Sequence, residues 1–151
     1  MFPRAEFVPG GTRSRMNDDI SRMLDAATFA VVGASHRPEK YGHIAYRALK
    51  AEGKTAYAVN PRAGAVDGDR CYPALADLPA RPDVAVMVVP PAVTEAAVAE
   101  CARLGIPNVW MQPGAESEAA VAACRRHGIA VVSGGPCIMV GLRTRKYRAQ
   151  E

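Results

Sequence analysis

Residues able to grip an anion cluster early in the chain. The apolar run Val31-Val32 leads into Gly33-Ala34-Ser35, and the loop behind it, His36-Arg37-Pro38-Glu39-Lys40-Tyr41-Gly42, carries the cations Arg37 and Lys40. A glycine at a strand exit lets backbone approach a ligand, Ser35 adds a hydroxyl, and a following helix aims unsatisfied amides and its positive end at a phosphate or pyrophosphate. A tight strand-to-helix corner would use the same tripeptide, so these residues alone leave both readings open. The Gly-x-Gly-x-x-Gly fingerprint of dinucleotide sites is not met, because Ser35 and Pro38 stand at the second and third glycine positions. Where an NAD site places an acid for the ribose, this chain has Asn60-Pro61-Arg62. A cation there suits a phosphorylated ribose, the 3′-phosphate of coenzyme A or the 2′-phosphate of NADP, and is equally compatible with a solvated surface arginine.

Short β-branched runs alternating with Ala-rich helical segments must position these residues, a pattern that produces a parallel sheet with crossover helices. Strands are expected at Phe29–Gly33, Thr55–Val59, Asp83–Val89, Asn108–Met111 and Ile129–Val132. Helices are expected from a cap at Asn17 through Leu24, and at Tyr41–Glu52, Thr94–Leu104 and Glu116–His127. On the second helix, Ile44, Ala45, Ala48 and Leu49 form the apolar stripe. Residues 64–79 hold too many turn formers for a long element, although Leu75 and Leu78 suit a short helical turn. The expected fold is α/β: a Rossmann-like, doubly wound parallel sheet of five strands in three α/β/α layers. Its strand order is 3-2-1-4-5, with the topological switch between strands one and four. Ligands of such sheets bind beyond the carboxyl ends of the strands. Gly33-Ala34-Ser35, Asn60-Pro61, Pro90-Pro91 and Gln112-Pro113-Gly114 should therefore converge on one crevice.

Length and charge narrow the field further. A chain of 151 residues, 49% of them hydrophobic, suits one domain with a proper core, expected over 17–140, with tails at 1–16 and 141–151. The tails carry +2 and +3 of an overall +4, leaving 17–140 at −1, so the body is not a basic nucleic-acid surface. No apolar run is long enough to cross a bilayer and no secretory signal is evident, which implies a cytoplasmic protein without a membrane partner. Cys71, Cys101, Cys124 and Cys137 are scattered, with no Cys-x-x-Cys and no histidine at metal-ligand spacing, so reduced thiols and no metal are expected. His36 could add a hydrogen bond to an anion or simply sit exposed. His43 and His127 lie on helices where function is not required to explain them, and Trp110 and Tyr72 suit either core or site wall. No acid, base or nucleophile constellation stands out, so no catalytic residue is assigned.

Taken in order, Val31-Val32-Gly33-Ala34-Ser35, the Pro38–Gly42 loop, Val59-Asn60-Pro61-Arg62, Cys71-Tyr72-Pro73 with Leu78-Pro79, Val89-Pro90-Pro91 and Trp110-Met111-Gln112-Pro113-Gly114-Ala115 resemble the CoA-binding domain family over nearly all of residues 25–140. The resemblance is to its small stand-alone branch, related to the N-terminal domain of the succinyl-CoA synthetase alpha subunit. It implies coenzyme A or an acyl-CoA as the ligand. By the same resemblance Gly33, Ala34, Ser35 and Arg37 lie near the phosphates, and Asn60, Pro61 and Arg62 near the nucleotide. Val89 and Pro90 lie against the adenine or the pantetheine arm, and Gln112 and Gly114 towards the thiol end. Gly135-Pro136-Cys137-Ile138 would return towards the crevice, where Cys137 is either a small buried residue or a thiol able to form a mixed disulfide. The larger synthetase-type proteins react through a phosphorylated histidine of a further domain, so binding without catalysis is expected here. The alternatives are an NADP-dependent oxidoreductase and a regulatory subunit that senses acyl-CoA. A homo-oligomer is compatible with the sequence, which marks no interface.

Overall fold

The computed structural model describes residues 11–150, with side chains over 15–145. The described residues form seven strands: β1 Thr28–Val32, β2 Thr55–Val59, β3 Ala65–Val66, β4 Asp69–Tyr72, β5 Val84–Met87, β6 Asn108–Met111 and β7 Ala130–Val132. Five helices accompany them: α1 Gly11–Leu24, α2 Tyr41–Ala51, α3 Pro91–Leu104, α4 Glu118–Arg126 and α5 Ile138–Gln150. A single 3-10 turn, Leu75–Asp77, supplies the short helical turn expected around Leu75.

All strands join one sheet in the order β3-β4-β2-β1-β5-β6-β7, parallel except for β3 against β4. Alternate β1 side chains face opposite layers. Phe29 and Val31 pack with Met23, Ala45, Leu49 and Ile138 from α1, α2 and α5, while Ala30 and Val32 face the side that holds Val98 and Cys124 of α3 and α4. The Rossmann-like α/β/α sandwich is therefore as expected, but the sheet is mixed and larger than five parallel strands.

The expected order 3-2-1-4-5 is wrong in one placement. The strand over 83–89 does not lie beyond β2; as β5 it pairs with β1 on the opposite side, Phe29 against Val84 and Val32 against Met87. The place beside β2 is taken by β4, through Ala58–Cys71 and Val59–Tyr72. Burial explains the outcome, since Val84, Ala85, Val86 and Met87 are all fully buried, which requires strands on both flanks as well as helices on both faces. The switch point accordingly lies between β1 and β5.

The β3–β4 hairpin within 64–79 was unforeseen. Its turn is Asp67-Gly68, with φ of 54° and 81°, both in the left-handed region required by a two-residue hairpin of the type I′ class. The hairpin also buttresses α2. The Tyr46 hydroxyl donates to Asp69 at 2.7 Å, and Lys50 bonds the same carboxylate, holding Asp69 below the usual carboxylate range, while burial and that carboxylate push the Tyr46 phenol up.

Several helix limits also differ. α1 begins at Gly11, so Asn17 lies inside it rather than capping it, and α5 carries the chain helically through Gln150. The parts of the two expected tails that are described are thus helical, and residues 1–10 and 151 lie outside the described residues. Arg145 of α5 pairs with Asp25 just beyond α1, lowering the pKa of that carboxyl. α3 starts three residues before Thr94, with Pro90 as its cap and Pro91 at the first position, where a missing N–H costs nothing. On α2 the buried residues are Gly42, His43, Ala45, Tyr46 and Leu49, whereas Ile44 is exposed.

The turn makes a local prediction. A Cβ on Gly68 would meet nothing within 4 Å, so Gly68→Ala should cost only its left-handed backbone strain, about 1 kcal/mol. Urea denaturation checks this, and a loss several times larger would mean that the turn is packed rather than merely twisted.

Candidate anion-binding site at the strand ends

Register aligns the strand exits. Val32 sits beside Val59 and Met87, and Met87 beside Met111, so the chain leaves β2, β1, β5 and β6 side by side. The exits are tied together by Gly33 N–H donating to the Val59 carbonyl (2.9 Å), Val88 N–H to Val32 (2.9 Å) and Gln112 N–H to Met87 (3.1 Å). Gly33, Ala34, Ser35, Arg37, Lys40, Asn60, Pro61, Arg62, Val89, Pro90, Gln112 and Gly114 therefore all lie on segments leaving the carboxyl ends of four adjacent strands.

The two glycines at this edge serve different contacts from the one expected. Gly33 has φ of 98°, and a Cβ there would fall 2.2 Å from the Val88 carbonyl oxygen and 2.7 Å from Val89 Cγ1. The space it vacates is filled by the β5 exit, not left for a ligand. A Cβ on Gly42 would fall 1.9 Å from the Gly33 carbonyl oxygen, so the first turn of α2 rests directly on the β1 exit. Glycine at 33 and 42 is what lets the α2 N-terminus close down on the switch point.

That N-terminus has no side-chain cap and no acidic residue in its first turn; Lys40 occupies the cap position with extended backbone. Arg37, Lys40 and Arg62 on the neighbouring loops are exposed, as is Glu39. The first amides of α2 have no side-chain partner, a donor set and helix polarity that suit an anion. Ser35 Oγ accepts from Arg37 N–H at 3.1 Å, which tightens the loop, and Asn60 Oδ1 accepts from Arg62 N–H at 2.8 Å, which sets the start of the 60–62 turn.

Two side chains hold the turn from behind. Asn60 Nδ2 donates to the Ala34 carbonyl at 2.8 Å, and His43 Nδ1 lies 2.7 Å from the Ser35 carbonyl oxygen. A carbonyl only accepts, so the proton is on Nδ1. The sequence shows Asn60 at the right place but not this role, and it places His43 on a helix without function. Its spacing from Ser35, across the loop and one turn into α2, was the available signal.

Gln112 departs from the expected role. It is 4% exposed, and its side-chain amide is committed within the chain: Oε1 accepts from Ile138 N–H at 2.7 Å and Nε2 reaches Cys137 Sγ at 3.5 Å. Trp110 Nε1 donates to the Pro136 carbonyl at 3.2 Å and is core, not wall. Together these bonds bring segment 136–138 back to the β6 exit. Gly114 (φ 94°) faces open space where a Cβ would point, as do Gly134 and Gly135. Pro90 and Pro61 are exposed and Val89 is half-buried. Two surface hollows lie elsewhere, about 680 Å³ between α1 and β7 at Met16 and Ile129, and about 300 Å³ beside β2 at Tyr57 and Arg70. Neither is lined by any residue of the strand-end set. Among the described residues no cluster suits a metal ion, and no helix is long and apolar enough to cross a membrane.

The fold is a Rossmann-like α/β sandwich whose β1, β2, β5 and β6 exits lie side by side at the switch point. Residues 27–143 match the family model described as "CoA binding domain", and the chain belongs to that family. It is similar, at 36% identity over 84 residues, to "Acetate--CoA ligase [ADP-forming] I" of Archaeoglobus fulgidus, a match covering 56% of this chain and 12% of that protein. It is 35% identical over 81 residues to "Acetate--CoA ligase [ADP-forming] II subunit alpha" of Pyrococcus furiosus, covering 53% of this chain and 18% of the subunit. The matched segments thus span less than a fifth of these relatives. Among solved structures, a conserved hypothetical protein from Pyrococcus furiosus superposes with a TM-score of 0.72 at 38% identity, covering 76% of this chain and 97% of that one. The α2 start has no side-chain cap, and the exposed charged residues on the loops that lead to it and to the 60–62 turn are Arg37, Glu39, Lys40 and Arg62, a net positive set that suits a phosphate-bearing ligand.

Two outcomes are expected at this edge. Gly42→Ala should destabilise the protein by about 3 kcal/mol, because backbone must move to admit the methyl, and chemical denaturation measures it. The thiols should divide by burial. Desolvation pushes Cys101 up to about 12 and Cys124 up to about 11, and raises Cys71, whereas Cys137 is only partly buried. Raised pKa means less thiolate at pH 8, so iodoacetamide should alkylate Cys137 first in the native protein, read by peptide mass spectrometry. Faster labelling of Cys101 or Cys124 would contradict the packing.

Proposed function

We propose that the protein binds coenzyme A or an acyl-CoA across the strand-end crevice, with its phosphates at the α2 start and no catalytic step assigned to the chain. The observation that carries the reading is the contact of Gly42 on the Gly33 carbonyl, which brings an uncapped helix start to the switch point in a chain of the CoA-binding domain family. Ser35, Arg37 and Lys40 then serve the pyrophosphate, and Asn60, Pro61 and Arg62 the ribose end. Val89 and Pro90 line the path of the adenine or the pantetheine arm.

The thiol end falls towards Gly114 and the returning 136–138 segment, with Gln112 acting by holding that segment rather than by touching ligand. An Arg at position 62 favours a phosphorylated ribose and so disfavours NAD. It does not by itself separate coenzyme A from NADP, and family membership supports the former.

Native mass spectrometry of protein purified without added ligand, followed by titration with CoA, acetyl-CoA, NADP and NAD, tests the reading. Retention or uptake of CoA or acetyl-CoA in preference to NADP is expected, and tight NADP binding with no effect of CoA would overturn it. Replacing Arg62 by Ala should weaken CoA about tenfold while changing 3′-dephospho-CoA little, the loss of one charge-assisted contact. Equal losses for both ligands would remove Arg62 from the ribose phosphate.

A further inference from the structure

The two ends of the sheet are finished differently. Beyond β4 the hairpin closes one end with the two-residue β3. At the other end β7 pairs with β6 alone, from Ala130 against Asn108 to Val132 against Trp110. The Ala130 N–H donates towards β6, to the Pro107 carbonyl at 3.0 Å, and the N–H groups of a strand alternate sides. Val131 therefore turns its own N–H and C=O to the free side. The strand reads Ala130-Val131-Val132, with neither the lysine nor the proline that commonly blunts an exposed edge.

This edge forms the floor of a groove. The hollow of about 680 Å³ is bounded by β7 and its flanks between Gly128 and Ser133, by Arg15, Met16 and Asp19 of α1, and by Arg125 of α4. α1 and α4 belong to opposite layers, Met16 packing with one core and Cys124 with the other. The free edge thus lies in a slot between helices of the two layers, a setting in which an extended peptide can add a strand.

Charge selects the occupant. Arg15 and Arg125 are exposed, and among the described residues neither has a carboxylate partner, whereas Asp19 is held by Arg22 at 2.8 Å. Arg125 lies in the last turn of α4, at the approach to β7. α1 runs from the strand exits to the strand starts, since it ends at Leu24, whose carbonyl is bonded by Lys54 just before β2. Arg22 bonds Asn108, the first residue of β6 and the register partner of Ala130. Arg15 stands seven residues earlier in α1, about 10 Å along the helix or about three strand residues, which brings it level with Ser133 at the β7 exit.

One cation therefore marks each end of the slot, and the two lie on opposite faces of the sheet. Successive side chains of a strand alternate faces, so carboxylates that meet both arginines must be an odd number of residues apart. A spacing of three, about 10 Å, matches the run from Ala130 to Ser133. A second copy of the chain would instead bring four arginines into one slot, against aspartates that are already paired.

We infer that the β7 edge is a docking site for a partner protein, which adds an extended, β-branched segment carrying carboxylates at positions i and i+3. The slot shares no residue with the strand-end crevice, so its test is independent of the coenzyme reading.

Fluorescein-labelled peptides test this by polarisation against the full chain. Ser-Glu-Val-Val-Glu-Ser, with its acids three apart, should bind. Its isomer Ser-Glu-Val-Glu-Val-Ser, of identical charge but with both acids on one face, should bind at least about threefold more weakly. Arg15→Gln and Arg125→Gln should each weaken the first peptide about threefold and erase the preference between the two. Val131→Pro removes the free N–H at a position where an edge strand tolerates proline, and should abolish binding. If that variant does not fold, N-methylating both valines of the first peptide removes its ladder donors instead and should abolish binding to the wild type.

Equal affinity for the two isomers, or binding that survives these backbone blocks, would overturn the inference, because charge attraction alone would explain it. No binding of the first peptide would also overturn it. In that event a dimer that Val131→Pro dissociates would assign the edge to a second copy, and slow exchange of the Val131 amide in a monomer would assign it to the chain itself.

Discussion

The contact on which the arrangement depends is the one between α2 and the β1 exit, where Gly42 lies against the Gly33 carbonyl with no room for a methyl. A helix of ordinary residues would have to stand off from the turn by the thickness of a side chain. Its first amides would then stand further from the switch point. The contribution of helix polarity at this edge depends on this approach, because it decays within about one turn. The same constraint makes Gly33 obligatory from the other side, since the β5 exit at Val88 occupies the volume its side chain would take. Three segments meet there, and side-chain volume is absent from two of them.

Holding α2 at that distance is the task of the rest of its length. Leu49, Ala45 and Tyr46 are buried against the sheet, and Tyr46 and Lys50 converge on Asp69 of the β4 strand. Since β4 is also the strand that extends the sheet beyond β2, the hairpin does two things at once. It blocks that edge of the sheet against further pairing, ending it in a two-residue strand, and it provides the carboxylate that fixes the helix. The Lys50–Asp69 pair is partly exposed and contributes little by itself, so burial of the α2 apolar face dominates and the ion pair sets rotation.

Most elements were legible because their signals are local. β1, β2, β5 and β6 are β-branched or apolar runs bounded by Gly, Pro or Asn, and the α2 stripe ends at a glycine, so each could be read to within a few residues. The strand order was not legible by the same means. It depends on which neighbour β5 takes, a long-range choice decided by complete burial of Val84 to Met87 and by the hairpin's occupation of the place beside β2. The hairpin itself had a readable sign in Asp67-Gly68, hidden because the surrounding turn formers suggested loop. At the crevice, residue types pointed to an anion and the strand exits pointed to one edge, yet the work of individual side chains was invisible. Gln112 lies at the β6 exit, and its amide binds the chain. Asn60 serves the turn from behind, and His43 is a buried partner rather than a helix-surface residue.

These buried amide and imidazole contacts bear on how such an edge tolerates change. A solvated cation such as Arg62 or Lys40 can be lost or moved with an effect confined to the ligand, because nothing in the fold leans on it. Asn60 and His43 cannot be treated in that way. Each satisfies a backbone carbonyl in or near the core, and removing it leaves an unpaired acceptor whose desolvation costs about 1–3 kcal/mol, which the turn could relieve only by flipping the peptide. A flipped peptide would present a carbonyl where an N–H stood and so reverse the polarity of the turn. Stability and the polarity of this turn are therefore coupled through the same two bonds. The β1 exit has the backbone geometry it does because those two carbonyls must be paired.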